Sequence, residues 1–340
     1  MKKKVFVLLP IFLLVLSVFF SGTATRVWAL DKPVKLVFGA MRIGTSWYIY
    51  AATYSKILEK ELPAGSSVEV LPQGGGIANP LVLAKGKVDV ALSNVATANW
   101  AYNGLMMYEG KAAKNLRALA GGLNKVFVMV ILREEFIKKT GIDSLQKLAD
   151  KKAPIRLICK PKGSTAPPAA QMVLEQYGMS FDKIKEWGGS VTQVSGGQIP
   201  AVVRDGRADI WFEVAPGGHP AVTEGMLTAN LRMISLDEKV RKALGEKGLN
   251  PDVIAANTFK NQNEPIKTVN PGTVIATTTR LSDEVAYLVT KTICENKEEV
   301  VAAHASIKPF VPEKAWLPGN TGIPLHPGAE KYYREKGWMK

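Results

Sequence analysis

Apolar residues along this chain gather in short runs that end at glycine or a polar turn. Leu36–Ala40, Val68–Leu71, Val90–Leu92, Val126–Leu132, Ile155–Cys159, Val191–Val194, Ile210–Phe212 and Thr273–Thr279 read as strands. Between them lie stretches with helical spacing. One follows Gly44, Thr45 and Ser46 and runs through Leu62, and another runs from Pro167 to Tyr177. A third starts at Ser282, a good N-cap ahead of Asp283 and Glu284, and continues to about Ala303. The remainder is rich in proline and ends in a short helix, Pro327 to Lys336.

The pattern repeats. Gly76, Pro80, Val82, Gly86 and Asp89 recur without gaps as Gly196, Pro200, Val202, Gly206 and Asp209, and Val90 is matched by Ile210. In each copy a strand enters a glycine-rich loop, a short helix begins near proline and stops at glycine, and aspartate precedes the next strand. Upstream, the loop at Gly44, Thr45 and Ser46 is matched by Gly163, Ser164 and Thr165. Each half thus alternates strand and helix, which predicts an α/β fold of two lobes with parallel sheets. Val126–Leu132 and Thr273–Thr279 are the expected crossings. The expected division is lobe I at 30–128 plus 275–340, lobe II at 133–270, and hinge strands at 126–132 and 273–279.

Lys2, Lys3 and Lys4 precede an apolar run from Val5 to Phe20, followed by small residues. This is the layout of a signal peptide over 1–29, cleaved after Ala24 or Ala29. The run is shorter than the about 20 residues of a comfortable membrane span. The expected location is therefore periplasmic. Loss of Lys2, Lys3, Lys4 and Arg26 lowers the formal charge from +14 to +10, which suits an anionic ligand. Cys159 and Cys294 are the only cysteines. Pairing needs Cα atoms within about 7 Å, and the alternative is two buried thiols.

The segments Asn115–Leu123, Gly141–Leu148, Gly206–Asp209 and Pro324–Tyr333 give the chain a resemblance to the TAXI type of solute-binding protein. Such proteins serve tripartite ATP-independent periplasmic (TRAP) transporters. The resemblance implies a two-lobed type II periplasmic-binding fold, with a hinge and a central cleft that closes on an organic acid. It also implies an integral-membrane TRAP permease as partner. The chain departs from the family pattern at Arg42 and Ile43. Ile77 stands where serine is common, Ala166 where a hydroxyl is usual, and Glu213 where an aromatic residue is common.

Ligands of parallel sheets bind at the carboxyl ends of the strands. Helix N-termini there supply N–H groups and partial positive charge. The candidate ligand-binding residues of lobe I are Arg42, Gly44, Thr45, Ser46, Trp47, Tyr48, Gly75, Gly76, Asn79, Ser93 and Asn94. Those of lobe II are Lys162, Gly163, Ser164, Thr165, Gly197, Gln198 and Glu213. Lys160 flanks the same loop as Lys162, and one of the two is expected to face solvent. Thr45, Ser46, Ser164 and Thr165 serve equally as helix caps. Glu213 either faces the cleft or forms a salt bridge.

Asp89 and Asp209 precede their strands, away from the expected site, and read as turn caps rather than a catalytic pair. His219, His304 and His326 lack metal-ligand spacing, and no nucleophile elbow or phosphate loop occurs. No catalytic residue, metal or cofactor is expected, nor a nucleic-acid partner. The expectation is a monomeric receptor for a dicarboxylate, 2-oxo acid or acidic amino acid. The alternatives are the binding component of an ATP-driven (ABC) importer and, further off, an enzyme.

Overall fold

The computed structural model describes residues 30–340; the expected signal peptide lies outside the described residues. Two five-stranded sheets hold the chain together. The first contains β1 (Lys35–Gly39), β2 (Ser67–Leu71), β3 (Val90–Ser93), β4 (Leu116–Gly121) and, from far downstream, β12 (Val274–Thr278), in the order β2-β1-β3-β12-β4. The second contains β5 (Phe127–Arg133), β6 (Arg156–Cys159), β7 (Ser190–Gln193), β8 (Ile210–Ala215) and β9 (Leu231–Ile234), in the order β7-β6-β8-β5-β9. A separate antiparallel ribbon joins β10 (Asn250–Ile254) to β11 (Ile266–Asn270).

The two sheets share one plan. In each, three strands run parallel, and the fourth position is taken by an antiparallel strand from just after a crossing. That strand is β12 in the first sheet and β5 in the second. The segments expected as hinge strands, 126–132 and 273–279, lie largely within the sheets as β5 and β12. Their apolar character has a packing cause, since Phe127 to Leu132 are all buried between layers. The chain crosses in the short segments 122–126 and 271–273, where the Leu123 N–H donates to the Thr273 carbonyl at 3.4 Å.

The helices that matter for the site are α1 (Ser46–Glu61), α2 (Ala78–Ala84), α3 (Val95–Asn103), α4 (Ala166–Glu175), α5 (Ile199–Arg204) and α6 (Pro220–Thr228). The expected long helix after Ser282 is divided at Asn296 into α7 (Asp283–Glu295) and α8 (Lys297–Ala303). The proline-rich tail lies along the first sheet: Ala118 N donates to Pro324 O at 2.8 Å, and His326 N donates to Ala118 O at 2.9 Å. Its final helix, α9 (Pro327–Glu335), buries Tyr332 and Tyr333, and the Tyr333 hydroxyl donates to Leu119 O at 2.9 Å. Cys159 and Cys294 are free, buried thiols in different sheets' cores, and burial pushes both thiols up to about 12.

Asp89 and Asp209 tie parallel neighbours together at the amino ends of the sheets. Asp89 Oδ2 accepts from Val37 N at 2.8 Å. Asp209 Oδ2 accepts from Arg156 N and Nε at 2.9 Å each, while Oδ1 accepts from Nη2 at 2.6 Å. Replacing either aspartate by alanine leaves a strand N–H without a partner, which costs about 1–3 kcal/mol. Asp209→Ala should destabilise more than Asp89→Ala in urea unfolding, because it also releases a guanidinium.

Candidate functional site

The loops at the carboxyl ends of both sheets meet face to face, and the cleft between them is closed. Ile77 N and Ala78 N of lobe I both donate to Gly163 O of lobe II at 3.1 Å. The Thr165 hydroxyl donates to Asn94 Oδ1 at 2.6 Å, and Asn94 Nδ2 donates to Gly272 O, in the second crossing, at 2.6 Å. Such contact requires bare backbone. A Cβ on Gly75, which sits at φ +143, would lie 2.8 Å from Gly163 O, and one on Gly76 would lie 2.0 Å from Thr165 Oγ1.

Behind this contact is a small cavity of about 30 Å³, lined from lobe I by Met41, Thr45, Ser46, Trp47, Gly76 and Asn94. Val126 of the first crossing and Lys160, Ser164, Thr165, Val214, Pro216 and His219 of lobe II complete it. A second space of about 280 Å³, lined by Arg42, Gln73, Lys162, Gly163 and Gly196 among others, shares Met41, Thr45, Lys160 and Ser164 with it. Arg42 and Lys162 are exposed there.

Lobe I brings a helix terminus. The Thr45 hydroxyl caps α1, accepting from Tyr48 N at 3.3 Å and donating to Arg42 O at 2.8 Å. Helix geometry leaves the first-turn N–H groups without internal partners, and Ser46 and Trp47 stand at that turn in the cavity wall. Ser46 Oγ lies 2.9 Å from His304 Nε2. The other ring nitrogen, Nδ1, accepts from Ser306 N at 3.3 Å. Burial lowers the His304 pKa, so the ring is neutral, and its single proton must sit on Nε2. His304 therefore donates to Ser46, and the serine's own proton has the neighbouring Tyr50 hydroxyl to bond to. The same tautomer prevents His304 from taking that proton, so the pair is not a nucleophile and its base.

Lobe II brings side chains instead. Pro167 and Pro168 remove N–H groups from the first turn of α4. Lys160, just beyond β6, is 3% exposed. Its Nζ lies 2.7 Å from Glu213 Oε1 and 3.4 Å from Val214 O. Gly196 packs on its stem, where a Cβ would meet Cε at 3.2 Å. Glu213 is fully buried, and Oε1 also accepts from Val214 N at 2.8 Å, while Oε2 has no partner within the protein. His219 is 2% exposed, and neither ring nitrogen has a protein partner. Burial first, then the charge of Lys160 and the His304 ring, holds its pKa well below the usual imidazole value.

Of the residues singled out in the sequence, Thr45, Ser46, Trp47, Gly76, Asn94, Ser164 and Thr165 are brought to the inner cavity. Arg42, Lys162 and Gly163 line the outer one. Gly75 packs against Gly163, Gly44 is exposed, and Tyr48 is half-buried. Asn79 is consumed internally: its amide donates to Ala40 O and Leu92 O at 2.9 and 2.7 Å and accepts from Gly75 N. Ser93 likewise bonds Gly76 O and Thr97. Gly197 and Gln198 are exposed, and Gln198 closes a capping box with Ser195. Glu213 stands behind Lys160 in the salt bridge.

His219, Lys160 and His304 are the cavity's further polar contributors. Asn94 caps α3 directly after β3, but the turn Pro216 to Gly218 delays the matching cap of α6 to His219. Counting helix caps rather than strand ends would have found it. Among the described residues no group of three or more His, Cys, Asp and Glu side chains could hold a metal.

Residues 38–337 match the sequence model of the NMT1-like family. Solved structures of low identity are similar to the chain. A protein of Bordetella bronchiseptica RB50 is 13% identical over 90% of each chain, with a TM-score of 0.51. The alkanesulfonate-binding protein SsuA of Xanthomonas axonopodis pv. citri, bound to MOPS, is 13% identical over 89% of this chain and 84% of its own, with a TM-score of 0.47. An amino acid ABC transporter substrate-binding protein of Streptococcus pneumoniae, bound to L-arginine, is 15% identical over 81% of this chain and 92% of its own, with a TM-score of 0.44.

Two outcomes follow from the buried charges. Glu213→Gln strands the Lys160 ammonium and should cost about 3–5 kcal/mol in chemical denaturation, whereas a Lys160→Met, Glu213→Leu double variant should recover most of it. His219 is harder to protonate folded than unfolded. Its contribution is present above the unfolded imidazole pKa, near 6.5, and is lost as pH falls below that value. Stability should therefore drop between pH 7.5 and 5. In His219→Gln the slope should be shallower by up to about 1.4 kcal/mol per pH unit, one proton's worth.

Proposed function

The chain belongs to the NMT1-like family, and from that premise we propose that it is an extracytoplasmic solute receptor: it closes on a small organic anion and hands it to a membrane transporter. The observation that carries this reading is the interlobe cavity. Its walls come from both lobes and one crossing, and they combine a free helix terminus, a serine held by His304, and a buried lysine. Helix termini suit a carboxylate. Binding without turnover fits the His304 tautomer, which does not make Ser46 a nucleophile.

Export by a cleaved leader is part of the proposal. It is compatible with the described residues, in which no helix is long and apolar enough to cross a membrane. Two kinds of membrane partner suit such a receptor. The sequence resemblance implies a TRAP-type permease. The Streptococcus neighbour is the substrate-binding protein of an ABC transporter, and an ATP-driven importer is the second reading. The neighbouring genes distinguish them, through an ATPase or a permease that lacks one.

The purified protein should gain thermal stability with its anion, about 2.7 kcal/mol at a hundredfold excess over Kd, and small-angle scattering should show compaction on binding. Gly76→Val, whose side chain would collide with Thr165 and Asn94, should stay expanded with ligand present. Compaction of that variant equal to wild type would remove the closing-cleft reading.

A further inference from the structure

The proposed receptor leaves its ligand class open, and the cavity's spare valences narrow it. Among the side chains lining the inner cavity, Lys160 is the one with a formal charge. That charge is answered at 2.7 Å by Glu213, and both side chains are almost wholly out of water. The next cations, Arg42 and Lys162, are exposed and line the outer space. What remains to attract an anion is the α1 terminus, equivalent to about half a charge. One carboxylate is matched. A second would be buried with no cation of its own, at a cost of several kcal/mol.

His219 adds a separate requirement. It is nine-tenths buried and more, it lines the cavity, and both ring nitrogens lack a protein partner. A neutral imidazole offers one N–H and one lone pair. A bare carboxylate accepts from the N–H and leaves the lone pair unmet. The lone pair needs a donor carried by the ligand. Between these polar groups the wall is hydrocarbon, from Met41, Trp47, Val126, Val214 and Pro216.

Resting on the receptor reading above, we propose that the ligand is a small monocarboxylate bearing a hydroxyl or amino group, with its carboxylate at the α1 terminus and its donor group on His219. Dicarboxylates and unsubstituted acids are the classes this site discriminates against. Lys160 and Glu213 act as a neutral pair that lends one spare N–H without adding net charge.

Titrations of the purified protein, followed by calorimetry and by Trp47-bearing fluorescence, test this with a matched panel. The panel holds both enantiomers of lactate, 2-hydroxybutyrate, alanine and valine, together with propionate, butyrate, pyruvate, succinate and glutamate. At least one hydroxy or amino monocarboxylate should bind ten times or more tighter than every unsubstituted acid and dicarboxylate. His219→Leu should erase that preference and His219→Gln should keep part of it. The hydroxy and amino arms identify the donor. Succinate, glutamate or propionate binding as tightly as the best substituted monocarboxylate overturns the inference but leaves a receptor for organic anions standing. Silence across the whole panel overturns both.

Discussion

The Gly163 carbonyl accepting two N–H groups from the opposite lobe is the contact on which the rest of the arrangement depends. It sets backbone against backbone across the cleft, which is possible because residues 75 and 76 have no side chains. With the lobes this close, Thr165 reaches Asn94, and Lys160 and His219 are taken out of water. A wider cleft would hydrate both groups, and neither the neutral imidazole nor the tight ion pair would be enforced.

Water exclusion then dictates the chemistry available. The Lys160–Glu213 pair is held by desolvation as much as by attraction, since either charge alone would be costly to bury. Around it the polar groups are assigned to definite roles. Ser306 fixes the proton of His304, and His304 and Tyr50 hold Ser46. His219 is the exception, with hydrogen-bonding capacity that no protein group uses.

The two halves share a plan without sharing a binding chemistry. Lobe I offers the open first turn of α1, capped by Thr45. In lobe II prolines 167 and 168 occupy the equivalent turn, so backbone donors are fewer, and a lysine and a histidine stand in their place. The duplicated architecture thus yields an asymmetric cavity, with an open helix terminus on one side and a lysine and a histidine on the other.

Much of this was legible in one dimension. Strand-length apolar runs, the glycine and proline punctuation, and the repeat from Gly76 to Ile210 determine paired α/β halves, because backbone propensity and burial period are local properties. The same locality placed Asp89 and Asp209 at the amino ends and the glycine loops at the facing ends. Tertiary structure alone decided which polar residues remain available. Asn79 and Ser93 stand in the right loops but spend their bonds on neighbouring strands. Lys160 and Lys162 differ by a turn, and one is buried while the other is solvated. His304 reaches Ser46 from the far end of the chain, and the crossings fall beside the apolar strands rather than within them. Hydrogen-bond capacity is a sum over neighbours in space, and a sequence read along its length contains only the neighbours in order.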